Sequence, residues 1–343
     1  MIDGTDAAVA RAARERIDQL TKPRGSLGRI EGLAVQLCAI AGGIPAHNFE
    51  RRAILIAAGD HGVAADGVSA YPPEVTAQMV GGFLGGTAAI SAFARAVRAE
   101  VYVANFGVRA RLAAHPQLID VNVGLGTANL AREPAIARTE LDRVLAAGRT
   151  AFDAVRKRGA FDVLALGDMG IGNTTSAAAI VAAFTGESAH AVAGRGTGVD
   201  DAGLARKVAA IDAALARCTE FGWDEIASEM GGFEILGLAG VMLAAAEARL
   251  PIVLDGSIVT AAALIATDIA PNVRDFLIAA HRSQEPAHAI ALNALKLEPL
   301  LDLDLRLGEA SGAALALPIV EAAARMVREM KTFAEAGVAT EGS

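Results

Sequence analysis

The chain has 343 residues, 53% hydrophobic and 20% charged, which is enough apolar material for one large domain or two modest ones and too much for a disordered chain. Lys and Arg number 31 against 39 Asp and Glu, for a net charge of −8, and only 4% of residues are aromatic. That balance argues against nucleic-acid binding, which needs a basic surface or aromatic stacking platforms.

In chain order, residues 1–16 carry charges of both signs and no long apolar run, so no signal peptide is read there and a cytoplasmic protein is expected. Val9, Ala13, Ile17 and Leu20 make one helical stripe; Leu27, Ile30, Ala34, Leu37 and Ala41 make a second. Short, nearly continuous apolar runs follow at residues 54–58, 101–104, 163–166, 252–254 and 276–279. Their length and lack of polar alternation suit strands covered on both faces, as in a parallel sheet. Between them Leu204, Val208, Ile211 and Leu215 mark a helical face. Near the C-terminus Leu315, Ile319, Ala323, Met326 and Met330 mark another, in which Pro318 is tolerable only near a helix start or a kink. Cys38 and Cys218 are too few for a disulfide framework and sit in apolar helical patterns as small buried hydrophobes. Two uncharged stretches, residues 75–94 and 169–186, contain too much Gly, Thr and Ser for membrane spans. The fold expected is α/β: an open, mostly parallel sheet flanked by helices, Rossmann-like and three-layered. Residues 46–289 would form the large domain. Residues 1–45 together with 290–343 would form a small helical subdomain.

Ligands of open α/β sheets bind at the carboxyl ends of the strands, so the residues just past each run are the candidates. These are Gly59-Asp60-His61-Gly62, Asn105-Phe106-Gly107, Gly167-Asp168-Met169 with the loop that follows, Asp255-Gly256-Ser257 and His281-Arg282-Ser283-Gln284-Glu285. All five loops would converge on one edge and share an active site. Gly170-Ile171-Gly172-Asn173-Thr174-Thr175 opens an apolar helix. Its glycines and free N–H groups suit an anion, and a tight turn capped by Asn173 or Thr174 fits equally well. It is neither a Walker A loop nor a dinucleotide fingerprint. Gly194-Arg195-Gly196-Thr197-Gly198, with Lys207 on the next helix, suits a phosphate or is a flexible loop beside a capped helix. Glu309, among small residues, is the local candidate for acid–base work if partly desolvated. By pattern alone it reads better as a first-turn glutamate favoured by the helix dipole. His61 and His281 lack metal-ligand spacing and read as structural or hydrogen-bonding residues.

Read in order, these segments resemble the nicotinate-nucleotide:dimethylbenzimidazole phosphoribosyltransferases of cobalamin lower-ligand synthesis. The matching motifs run along nearly the whole chain: Thr21-Lys22-Pro23-Arg24-Gly25-Ser26-Leu27-Gly28, Ala58-Gly59-Asp60-His61-Gly62-Val63, Val68-Ser69-Ala70-Tyr71-Pro72, Val75-Thr76-Ala77-Gln78-Met79, Met169 to Thr175, Gly194 to Gly198, His281-Arg282-Ser283 and Leu305-Arg306-Leu307-Gly308-Glu309. The resemblance implies transfer of phosphoribosyl from nicotinate mononucleotide to a benzimidazole, with inversion at the anomeric carbon, and no cofactor or metal. It makes Glu309 the catalytic base, reversing the local reading, and gives Asp168 a place at the ribose or as a second base. It puts Ser69, Tyr71 and Gln78 around the benzimidazole. Met169, Gly170, Ile171, Gly172, Asn173, Thr174 and Thr175, with Lys207, would hold the ribose phosphate. Gly194, Arg195 and Gly196 would add the second glycine loop. Asp255, Ser283 and Leu307 would complete the site. It also implies a homodimer. The chain departs from the family pattern in four places: Asp168 for the usual Glu, Asn105 for Asp, Ser257 for Phe and Ala310 for Gly. These leave the accepted base open among benzimidazoles, purines and phenols. A nucleotide glycohydrolase or a non-catalytic binding paralogue of the same fold is the alternative.

Overall fold

The structure, a computed structural model, describes residues 2–339. Six strands form one sheet: β1 (Arg52–Gly59), β2 (Ala99–Gly107), β3 (Leu118–Asp120), β4 (Val163–Met169), β5 (Ile252–Leu254) and β6 (Leu277–Ala279). Their order is 3-2-1-4-5-6 and every pairing is parallel. That is the doubly wound α/β arrangement, with helices on both faces. Five of the strands coincide with the five apolar runs. The sixth, β3, is three residues long and pairs only with β2 at the sheet edge, so no apolar run announces it. Phe276 ends the 3₁₀ turn that leads into β6 instead of starting the strand.

The uninterrupted hydrophobicity of β1 follows from its central place. Ala53, Leu55 and Ala57 point into one core, and Ile54, Ile56 and Ala58 into the other. On the first face the helix Phe233–Glu247 is buried at every position but its last. It packs backbone to backbone on Leu141–Arg158: a Cβ on Gly148 would lie 2.2 Å from the Gly237 carbonyl oxygen, so only glycine fits that crossing. On the second face the helices Ala7–Gln19, Arg29–Ala41 and Ser311–Glu329 pack together. Ile17, Leu37, Leu317 and Val320 from these helices share one core with Ile54, Ile56, Val163 and Val253 of the sheet. Residue 290 falls within the helix Pro286–Leu295, whose Ala287, Ala291 and Leu295 belong to the opposite core. Ser311–Glu329 runs through Pro318, which is exposed, so the missing N–H falls on the solvent side of a helix held by its buried face.

The stretch Val75–Ala96 is long and apolar enough to cross a membrane by composition. It divides into Val75–Leu84 and Ala89–Ala96, and ten residues rise only about 15 Å against a hydrocarbon layer of about 30 Å. Cys38 and Cys218 are buried and unpaired, and burial pushes both thiols up to about 11.

Candidate active site

Strand order reverses between β1 and β4, and a cavity of about 330 Å³ lies at the carboxyl ends of the strands there. Its walls include Tyr71, Asp168, Met169, Gly170, Ile171, Asn173, Thr174, Gly196, Ser283, Leu307 and Glu309.

Glu309 reaches the cavity through an unusual turn. Gly308, Glu309 and Ala310 are consecutive left-handed residues with φ of +83°, +62° and +64°. Such a backbone costs about 1–3 kcal/mol per non-glycine residue and persists only where its surroundings enforce it. Two neighbours do so. Asp255 Oδ1 accepts the amides of Gly312 at 2.8 Å and Ala313 at 3.0 Å, fixing the start of Ser311–Glu329. Gly167 of β4 makes room, since a Cβ there would lie 2.2 Å from the Ala310 nitrogen. Glu309 therefore precedes the helix and is not the first-turn residue that local pattern implies. Its side chain is buried with Oε2 unpartnered. Burial and the nearby Asp255 push its carboxyl up to about 7, against a hydrogen bond from the Ile90 amide.

Asp168 ends β4. Its Oδ2 accepts from Asn173 Nδ2 at 2.9 Å and its Oδ1 has no partner. Burial, then Asp255, Glu234 and Glu309 push it up to about 8, with the Asn173 hydrogen bond opposing. Asn173 is thus engaged by Asp168, and Thr174 Oγ1 accepts from Lys207 Nζ at 2.9 Å. Neither side chain caps the helix Asn173–Thr185, whose N-cap is Gly172. Lys207 comes from the helix Asp201–Leu215 and is buried behind Thr174, which pulls its ammonium down to about 8 against Glu285. Gly196 covers this pair closely: a Cβ would be 2.7 Å from Thr174 Oγ1 and 3.1 Å from Lys207 Nζ. Glu285 Oε1 holds the same loop by accepting the Gly196 amide at 2.9 Å.

The remaining expected residues lie around this centre. Ser69 Oγ meets Thr197 Oγ1 at 3.0 Å, tying the segment before Tyr71 to the second glycine loop. Gln78 is exposed on Val75–Leu84 and does not line the cavity. Gly194 and Arg195 line an adjacent depression, while Gly172 and Thr175 stand behind the loop. Asp255 does not line the cavity; it holds the helix start beyond Glu309 through the backbone and raises the Glu309 carboxyl by its charge. Ser257, His281 and Glu285, named among the strand-end candidates, also line the cavity, as do Thr197 of the second glycine loop and Arg306 of the Glu309 motif, none of which the resemblance gives a role; Ile258 belongs to none of those segments. His61 Nε2 is 2.6 Å from Glu234 Oε1, and His281 Nε2 is 3.5 Å from Asp255 Oδ1. Among the described residues no group of three His, Cys, Asp or Glu is placed to hold a metal.

A family model described as Phosphoribosyltransferase matches residues 2–338. Two relatives, both named nicotinate-nucleotide–dimethylbenzimidazole phosphoribosyltransferase, come from a Roseiflexus species and from Thermus thermophilus. The first is 52% identical over 336 residues, covering 97% of this chain and 94% of the relative. The second is 52% identical over 334 residues, covering 97% and 99%. The crystal structure of the Thermus thermophilus enzyme of that name superposes with a TM-score of 0.92 at 50% identity, covering 98% of this chain and 99% of that one.

Proposed function

The chain belongs to the phosphoribosyltransferase family, and from that premise we propose that it transfers the phosphoribosyl group of nicotinate mononucleotide to 5,6-dimethylbenzimidazole, in cobalamin lower-ligand synthesis. The products are α-ribazole phosphate and nicotinate. The observation that carries the chemistry is Glu309: a buried carboxyl on the cavity wall, one oxygen unpartnered, pushed up to about 7. A benzimidazole nitrogen attacks C1′ of the ribose on the face opposite the pyridinium. The new N–C bond forms as the bond to the pyridine nitrogen breaks, and that electron pair leaves with nicotinate. The configuration inverts from β to α. The N–H proton of the benzimidazole passes to the Glu309 carboxylate. Because the leaving pyridinium is cationic, its departure relieves charge without a metal clamp. The helix start at Asn173 and Thr174, backed by Lys207, suits the ribose phosphate.

The two cavity carboxyls titrate as a pair. Asp168 is pushed higher than Glu309, so the form with Glu309 ionised and Asp168 neutral is reached first as pH rises. kcat/KM for the nucleotide is expected to climb through pH about 7 and fall through about 8; a profile flat from 6 to 9 removes this assignment.

The decisive assay incubates the protein with nicotinate mononucleotide and candidate bases, identifying ribosylated products by mass spectrometry. Nicotinate release that needs no added base would instead make it a glycohydrolase, a reading the names of the relatives do not favour. Lys207→Met is expected to raise the KM for the nucleotide about tenfold or more, leaving that for the base within about twofold. Equal changes in both would take Lys207 away from the phosphate. We propose further that the protein is a cytoplasmic homodimer. Only 28% of the apolar window in Val75–Ala96 is buried within one chain, and a second copy would cover it. The terminal segments 1–45 and 290–343 remain our proposed helical unit beside the sheet.

A further inference from the structure

A buried pair lies behind the nucleotide loop and takes no part in the chemistry above. His61, from the loop after β1, places Nε2 2.6 Å from Oε1 of Glu234, in the first turn of Phe233–Glu247. Both side chains are fully enclosed. Their other polar atoms, His61 Nδ1 and Glu234 Oε2, have no hydrogen-bond partner, and such orphaned groups ask for a reason.

The surrounding glycines supply one. A Cβ on Gly59 would lie 2.6 Å from Glu234 Oε2, and one on Gly232 2.5 Å from His61 Cε1, so the backbone is pressed onto the pair from two sides. The loop after β4 rests on it as well. A Cβ on Gly170 would be 3.2 Å from Glu234 Oε1, and one on Gly172 3.2 Å from His61 Cβ. Glu234 thus lies under Gly170 and His61 under Gly172. The same loop presents Gly170, Ile171, Asn173 and Thr174 to the cavity.

We propose that the His61–Glu234 pair is a positioning device: it forms the floor of the Gly170–Thr175 loop, setting where that backbone meets the ribose phosphate, and it places the Glu234 carboxylate against Gly170, beside the Asn173 amide that donates to Asp168. The identity of the bound nucleotide rests on the function proposed above. The groups that face Asp168 are Asp255 after β5, Glu309 before Ser311–Glu329, Glu234 and the Asn173 amide; the three carboxylates raise its pKa and the amide lowers it.

Two variants separate these effects. His61→Ala keeps the Cβ beneath Gly172 but removes the imidazole that holds Glu234 under Gly170, and is expected to raise the KM for nicotinate mononucleotide about tenfold, with kcat and the KM for the base within about twofold. Glu234→Gln keeps the bulk and removes the charge, so Asp168 ionises more readily and the alkaline limb of the kcat/KM profile moves to lower pH. Glu234→Asp, which restores the charge, should return the limb toward its wild-type position. A general loss of folding does not move a pH limb, so Glu234→Gln decides the matter even if His61→Ala folds poorly. A nucleotide KM unchanged in His61→Ala, or a limb unmoved in Glu234→Gln, overturns the proposal. If the wild-type protein releases no nicotinate, it is the function that fails, and the pair is then judged by calorimetry with nicotinate mononucleotide. Weaker binding by His61→Ala supports the floor, and equal binding refutes it.

Discussion

Glu309→Gln is expected to lower kcat by about 10²–10⁴, the range for loss of a positioned general base. Both KM values should stay within a few-fold, because the amide keeps the shape of the side chain. The expectation rests on how Glu309 is held. Asp255 fixes the helix start just beyond it, and Gly167 admits Ala310 to a place where any side chain on β4 would collide. The backbone that carries the carboxyl is fixed, so chemistry and not position is lost on substitution. The variant should also lose the rise of kcat/KM through pH about 7, since no ionising group replaces the carboxyl. Near-normal turnover, or a variant whose activity still rises through that pH, would mean another group takes the proton.

The contrast between Glu309 and its own sequence context shows what a chain reveals and what it hides. The sheet is legible because a strand buried on both faces must be apolar at every position, and residues 54–58 and 163–166 are. β3 is not legible, since three residues paired on one side need no such run. Loop chemistry at the strand ends is legible for the same topological reason, and Asp168, Gly170, Asn173, Thr174 and Ser283 do meet at one cavity. The left-handed turn at Glu309 and Ala310 is not. The residues enforcing it, Asp255 just after β5 and Gly167 in β4, are more than fifty positions away. Resemblance chose the same glutamate without that knowledge. It also named Gln78, which in this chain faces outward from Val75–Leu84, and gave no role to Glu285 and Arg306, whose place depends on how the glycine loop at Gly196 folds back. The buried Glu234 carries no sequence signal at all, because a carboxylate at the start of an apolar helix looks like any first-turn residue.

Asp168→Asn is expected to make the protein more stable and less active at once. In the folded chain Asp168 is pushed from an ordinary 3.8 up to about 8. The native state therefore holds a proton that the unfolded chain releases above pH about 4. A group raised in this way contributes fully below its unfolded pKa, and its contribution is lost as pH rises through the folded value. The slope is about 1.4 kcal/mol per pH unit. By pH 8 the accumulated penalty is on the order of 5 kcal/mol, less whatever local relaxation recovers. Asparagine carries no such linkage, and its side-chain oxygen can still accept from Asn173 Nδ2. The melting temperature of the variant should exceed that of the wild type by roughly 5–10 °C at pH 8, and the gap should close toward pH 4. Activity should fall by about 10² or more, because the amide cannot yield or take a proton beside Glu309. A melting difference that does not change with pH would show that Asp168 does not hold its proton in the folded chain, and the order in which the two carboxyls ionise would have to be reversed.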